Sequence, residues 1–169
     1  MEGIQLREDS ENNIVSENTI KNCKDVAIRL LYSNCNTITR NNISGSGCGT
    51  SIYVSNLNTI SNNNYVSNSV QISASEWYAQ QWGYSYSNNT ITQNYWSNYN
   101  GTDANGDGVG DTPYIIDYNN QDNFPFIEPV IIPEFPSWTP LLIMLAVVLA
   151  VAVVYRQRLH KQNQRREHQ

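Results

Sequence analysis

Histidine, charge and soft metal ligands are what this chain has least of. Its 169 residues include two histidines, both within the last ten positions, two methionines and three cysteines. That argues against a histidine-centred active site in the bulk of the chain, and against copper, which asks for imidazole or sulfur donors. Only 15% of residues are charged, and the net charge is −5. Nucleic-acid phosphates call for the opposite sign, so nucleic acid is disfavoured as a partner. Met1 to Ser10 also lacks the basic stretch and apolar core of a secretory leader.

What fills the sequence instead is amide and hydroxyl. About two dozen residues are Asn, with Ser and Thr close behind. These side chains bond locally to backbone and favour turns over helix interiors, which argues against a helical bundle.

The Asn-rich segments repeat. NNIVSENTI (Asn12 to Ile20), CNTITRNNI (Cys35 to Ile43), LNTISNNNY (Leu57 to Tyr65) and NNTITQNYW (Asn88 to Trp96) align. One apolar column reads Ile14, Ile38, Ile60, Ile91, with steps of 24, 22 and 31; a second reads Ile20, Ile43, Tyr65 and Trp96 or its neighbour. A third reads Ile4, Ile28, Ile52, Ile72, with alternating partners Leu6, Leu30 and Val54. Short alternating strands joined by tight turns, three to each unit, make one coil of a parallel β-helix, whose interior forms only when coils stack. Asn at the corners is expected to adopt the left-handed conformation, and stacked amides to bond from coil to coil. The reading is an all-β parallel β-helix of about four coils over residues 1–96. Disorder would not keep Ile in register, and a leucine-rich repeat would need a helical half to each unit.

The step of 31 marks an insertion, 76–86, which places Trp77, Tyr78, Trp82, Tyr84 and Tyr86 within a few turns of chain. Aromatic faces suit sugar rings, so these residues are candidates for glycan contact. The more ordinary reading is that the insertion folds back to cover the open end or flank of the solenoid, and the two roles are compatible.

Residues 97–129 read as a C-terminal cap. Within it, 103–111 (DANGDGVGD) matches the first six positions of a calcium loop, D-x-[DN]-x-[DN]-G. Oxygens of Asp103, Asn105 and Asp107, the Val109 carbonyl and Asp111 are the candidate ligands, and Gly108 permits the sharp turn. Asp117 and Asp122 are further candidates. Tyr114 stands where an EF-hand has its bidentate Glu, and no helical pattern flanks the loop. A static structural Ca²⁺ is therefore expected rather than a switch; the alternative is an Asp/Gly-rich turn that holds no metal.

Beyond a linker at 130–139, Leu141 to Val154 is an unbroken apolar run bordered by Trp138 and Tyr155. As a helix, Trp138 to Tyr155 would extend roughly 27 Å, close to a hydrocarbon core of about 30 Å. A buried core helix is the alternative, but the aromatic borders and the following Arg156, Arg158, Lys161, Arg165 and Arg166 fit a membrane anchor with its C-terminus in the cytoplasm. Residues 1–155 carry −9 and residues 156–169 carry +4. The expectation is one C-terminal transmembrane helix at 140–155, a basic cytoplasmic tail at 156–169 and the acidic bulk outside the cell. An exported domain without a leader is expected to be the C-terminal piece of a longer protein or the product of a misplaced start.

The run NYWSNYNGTDANGDGVGDTPYIID (Asn94 to Asp117), followed by NNQDNFPFIEP (Asn119 to Pro129), resembles the C-terminal end of NosD-like right-handed parallel β-helix proteins. That group is often labelled periplasmic copper-binding and is abundant among archaeal surface proteins. The resemblance extends over residues 3–129 and implies a right-handed β-helix of the carbohydrate-binding and sugar-hydrolase type. Asn98 stands where the family usually has Asp. PEFPSW (Pro133 to Trp138) is similar to the C-terminal anchors of archaeal surface proteins, some of which are processed by sorting enzymes.

An enzyme on this scaffold would present carboxylates side by side from neighbouring coils. A 24-residue step sets Glu17 over Asn41 and Asn63, and Arg40 beside Ser16 and Asn62, with no acidic pair. Catalysis is thus not expected of this chain, and a fragment of a carbohydrate-active enzyme is the rival reading, with copper delivery behind both. Cys23, Cys35 and Cys48 lack metal-knuckle spacing and read as buried free thiols. Asn42, Asn88 and Asn100 begin glycosylation sequons. The whole points to a membrane-anchored surface module, structural or adhesive, whose partners are surface glycans or other surface proteins.

Overall fold

Strands of three to six residues bury too little surface to stand alone, and stability has to come from stacking them. The computed structural model describes residues 3–74, 88–133 and 138–167, with side chains in the last segment described from 143 to 158. Twelve short strands within these residues form three parallel sheets of four. Sheet A contains β1 (Ile4–Arg7), β4 (Val26–Leu31), β7 (Cys48–Tyr53) and β10 (Val70–Ala74). Sheet B contains β2 (Ile14–Ser16), β5 (Thr37–Thr39), β8 (Thr59–Ser61) and β11 (Thr90–Thr92). Sheet C contains β3 (Thr19–Lys21), β6 (Asn42–Ser44), β9 (Asn64–Val66) and β12 (Tyr95–Trp96). The chain is an all-β parallel solenoid with three uninterrupted turns and a fourth reached across the insertion. An antiparallel pair, β13 (Tyr114–Ile115) and β14 (Gln121–Asp122), belongs to the cap.

Register explains which residues enter the core. In sheet C, Ile20, Ile43, Tyr65 and Trp96 are in line, as the repeat implies. In sheet B the column is Val15, Ile38, Ile60, Ile91, whereas Ile14 pairs with Thr37 and is 72% exposed. The step from the first coil to the second is 23 here, not 24, and a shift of one residue turns a strand residue to the opposite face. Sheet A corrects the alignment as well. Ile52 lies beside Leu30, and the place expected for it, beside Ile28 and Ile72, belongs to Thr50. Thr50 is buried, and its hydroxyl lies 2.8 Å from the Tyr65 hydroxyl, so two core polar groups satisfy one another. Val54 lies outside the strand at a corner with φ +46°.

Asparagine runs through the interior in two ladders, Asn13–Asn36–Asn58–Asn89 and Asn18–Asn41–Asn63–Asn94. At each step the later Oδ1 accepts the backbone N–H of the earlier Asn at 2.8 to 3.0 Å. The Nδ2 of Asn41, Asn63 and Asn94 donates to a carbonyl two residues back and to another on the preceding coil. Every polar atom of these amides is thereby used, which is why they sit at 0% exposure without an unsatisfied group. Corner Asn does adopt the left-handed conformation, as expected, at Asn12, Asn22 and Asn62, but the ladder Asn does not: in both ladders the left-handed residue is the one before it. Asn12, Glu17, Cys35, Arg40, Leu57, Asn62 and Gln93 have φ between 55° and 58°. That turn points the next side chain inward along the backbone. Its strain of roughly 1 kcal/mol is offset by the amide bonds it permits.

The second ladder ends on a carboxylate. Asp122, fully buried, accepts the N–H groups of Gln93 and Asn94, both at 2.9 Å, the Asn94 amide, the Trp96 indole N–H at 3.1 Å and the Phe124 N–H at 3.0 Å. A further coil would offer an Asn Oδ1 there. Five donors converge at this end, and an acceptor-only group meets them where an amide would add two more donors. Trp96 is sandwiched between Tyr65 and Tyr114, with ring centroids 4.8 and 4.3 Å apart and planes within 9° of parallel. The tail then follows sheet C, where the Asn64 side-chain amide both accepts from and donates to the backbone of Val130 at 2.8 Å.

Residues 133–169 form a separate unit. Its helix runs continuously over Trp138–Glu167, so the segment expected as a basic tail continues the helix instead of leaving it at Tyr155. From Ile143 to Tyr155 its large apolar side chains are half exposed or more. Among the described residues, no helix is long and apolar enough to cross a membrane.

Asp122→Asn is expected to cost about 3 kcal/mol of unfolding free energy in denaturant titration, because a donor then faces buried donors. Asp9→Asn, on the exposed first coil, should stay within about 0.5 kcal/mol. Thr50→Val and Tyr65→Phe should each destabilise by about 1 kcal/mol, while the double variant costs clearly less than their sum.

Candidate functional site

The cap carries the most specific sequence motif, and its position follows from one aromatic clamp. Tyr99 donates from its hydroxyl to the Thr112 carbonyl at 2.6 Å. Gly101 and Gly110 leave room for that ring, since a Cβ at either would fall on the Tyr99 hydroxyl. Loop 103–111 is held at its base by Asp111 N–H to Thr102 carbonyl and Gly110 N–H to Pro125 carbonyl, both 2.8 Å. Ile127 N–H reaches the Gly108 carbonyl at 3.1 Å, and Val109 bridges Phe126.

Within the loop the expected ligand residues turn towards the backbone. Asp103 accepts from the N–H groups of Gly106, Asp107 and Gly108, at 2.7, 3.1 and 2.8 Å. Asn105 Oδ1 accepts from Asp107, Asp107 Oδ1 accepts from Val109, and Asp111 Oδ2 accepts from Ala104. Gly106 and Gly108, at φ +73° and +85°, make the sharp turns possible where open space would have tolerated a side chain. Asp103 Oδ1 and Asp111 Oδ2 each accept two hydrogen bonds, whereas Asp103 Oδ2, Asn105 Oδ1 and Asp107 Oδ1 accept one each and keep a lone pair with which a hard cation would interact. Among the described residues, no three His, Cys, Asp or Glu side chains approach closely enough to form a metal cluster by themselves. Of the two further candidates, Asp122 is absorbed in the ladder. Asp117 turns back on its own loop, accepting from the N–H groups of Asn119 and Asn120 and from the Asn120 amide.

The remaining sequence candidates are scattered. Trp77, Tyr78, Trp82, Tyr84 and Tyr86 lie outside the described residues. Asn88 and Asn100 are exposed, and Asn42 is half-buried in β6. Glu17 faces Arg40 at 3.1 Å, and not Asn41, for the same one-residue change of step that turned Ile14 outward. Both partners are largely exposed, so this pair contributes little to stability. Sequence reasoning had no route to the roles of Asp122 and Thr50, because neither lies at a repeated spacing that marks its partner.

Compared with known families, residues 1–101 match the model described as periplasmic copper-binding protein (NosD). No curated protein and no solved structure in the comparison matched the chain.

The copper of that description can be weighed against the donors present. The matched residues contain no histidine. Cys23 is buried, Cys35 is exposed and Cys48 is half-buried. Burial pushes the Cys48 thiol up from 9.0 to about 11, and its proton is directed at the Thr50 carbonyl at 3.3 Å. It is therefore a neutral thiol at physiological pH, a poor copper ligand. This donor set does not fit copper.

Burial raises the Tyr65 hydroxyl in the same direction. Both groups hold their protons more tightly folded than unfolded, so the stability Cys48 contributes is intact below pH 9 and is lost as pH rises through about 11, while that of Tyr65 starts to fall only above pH 10. The unfolding midpoint should fall over that window, and Cys48→Ser should remove part of the fall.

Proposed function

Since the chain belongs to the NosD family, we propose that it is a membrane-anchored cell-surface module that binds neutral glycans and carries out no chemistry of its own. The observation that carries this reading is the outer face of sheet B. Its two outward columns are Ile14, Thr37, Thr59, Thr90 and Ser16, Thr39, Ser61, Thr92, uncharged and hydroxylated at all but one position. None of these hydroxyls has a hydrogen-bond partner among the described residues. Such a surface suits a partner that is itself uncharged and rich in hydroxyls, and the aromatic residues of the insertion suit sugar faces.

The anchor is supported by the exposed apolar side chains of the C-terminal helix and the basic residues that follow them. It would leave the C-terminus in the cytoplasm and the solenoid outside. A structural Ca²⁺ on loop 103–111 belongs to the same reading. It would be held by the oxygens of Asp103, Asn105, Asp107 and Asp111 with the Val109 carbonyl, and would stiffen the cap.

The test is a glycan array probed with the full chain in a detergent that has no sugar headgroup, with and without Ca²⁺. Binding to neutral glycans that persists at 0.5 M salt, scaled against a Debye length of about 4 Å, is the expected result. Binding to acidic glycans alone, or to none, would contradict it. Calorimetry should register Ca²⁺ binding that Asp103→Ala abolishes.

A further inference from the structure

We propose that a cleft between β10 and the cap is a binding site for a single neutral sugar ring, an inference that rests on the glycan-binding reading above. The cleft measures about 210 Å³. Pockets for drug-sized ligands begin at about 300 Å³, so this one has room for a monosaccharide unit and not for an oligosaccharide.

Its walls and floor differ in chemistry. Val70 and Ile115, 48% and 62% exposed, offer bare aliphatic surface. The floor is Gln71, only 6% exposed, whose Oε1 accepts from the Asn68 amide at 2.9 Å and whose Nε2 donates to Asn98 Oδ1 at 3.1 Å. Tyr114 donates its hydroxyl to the same Oδ1 at 3.2 Å. With Oδ1 engaged twice, the Asn98 amide is fixed in orientation, and its Nδ2 is the group left to donate to a ligand. The Tyr114 oxygen still accepts, and its ring is immobilised by stacking on Trp96. Ser69 adds a hydroxyl to the lining.

A donor, an acceptor and a hydroxyl beside aliphatic walls match the alternating hydroxyls and C–H faces of a pyranose. Among the described residues, no carboxylate, ammonium, guanidinium or imidazole lines the cleft. A charged sugar would lose its water there without gaining a counter-charge, which selects against uronates and amines. The described lining of the cleft includes no residue of the aromatic insertion, so the two can be separated by mutation.

The experiment is saturation-transfer NMR with titration of the full chain, in a detergent without a sugar headgroup. The probes are glucose, galactose, mannose, N-acetylglucosamine and, as the charged comparison, glucuronate. At least one neutral sugar should bind, with glucuronate rejected. Val70→Trp, which fills the cleft, should weaken it about tenfold at unchanged melting temperature; Asn98→Ala should weaken it by about the same factor, the scale of one lost hydrogen bond, and also lower the melting temperature, since Gln71 Nε2 loses its acceptor. Trp82→Ala should leave it intact. If binding survives both cleft variants and disappears with Trp82→Ala, the cleft is overturned while the glycan-binding reading stands. If the folded chain binds no sugar in the panel and no neutral glycan on the array, both are overturned.

Discussion

The direction of the asparagine ladder is the constraint on which the rest of the structure depends. Each interior Asn hands its backbone N–H forward to the next coil's Oδ1 and sends its Nδ2 back to a carbonyl of the preceding coil. A stack built this way has two unlike ends, and the C-terminal end is a concentration of donors. Left buried and unmet, each would cost about 1–3 kcal/mol. Asp122 answers them with one carboxylate, and the cap exists largely to deliver it. The solenoid is thus terminated by chemistry as well as by bulk.

Packing follows the same axis. The sheet C column grows from Ile20 and Ile43 to Tyr65 and Trp96, and Tyr114 closes it. Larger side chains towards the cap let the last coil contact a segment that is not a coil. The same stack fixes Tyr114, which sets Asn98, which forms one edge of the cleft. Thr50 belongs to this logic too, since the Tyr65 hydroxyl would otherwise be buried with no partner. Structural satisfaction and a candidate ligand surface are therefore built from the same few residues.

Much of the fold was legible because stacking forces similarity between coils. The sheet C column and the three strands per coil could be read from Ile20, Ile43 and Tyr65, with Trp96 as the fourth member. The family match over residues 1–101 agrees with the resemblance over the repeats and ends before loop 103–111. Register was harder, because Ile14 and Val15 are equally apolar and only the hydrogen bonds from Asn13 to Asn36 decide which faces in. Ile52 misled for a similar reason, its core place being two residues along the same strand. Local turn chemistry pointed to Asn as the left-handed residue, yet the amides are more valuable one position later, inside the ladder. Asp122 looked like a metal ligand because sequence shows a carboxylate and cannot show five donors around it.

The surface module envisaged here needs a solenoid that holds its last coil rigid, since the candidate ligand surfaces border that coil. Native-state hydrogen exchange of single backbone amides tests this most directly. The Gln93 and Asn94 amides, both donated to Asp122, should exchange only through global unfolding and match the interior amides of Asn41 and Asn63. Exchange of Gln93 and Asn94 at the rate of a frayed loop, with Asn41 and Asn63 still protected, would contradict the account of the ladder and its carboxylate terminus.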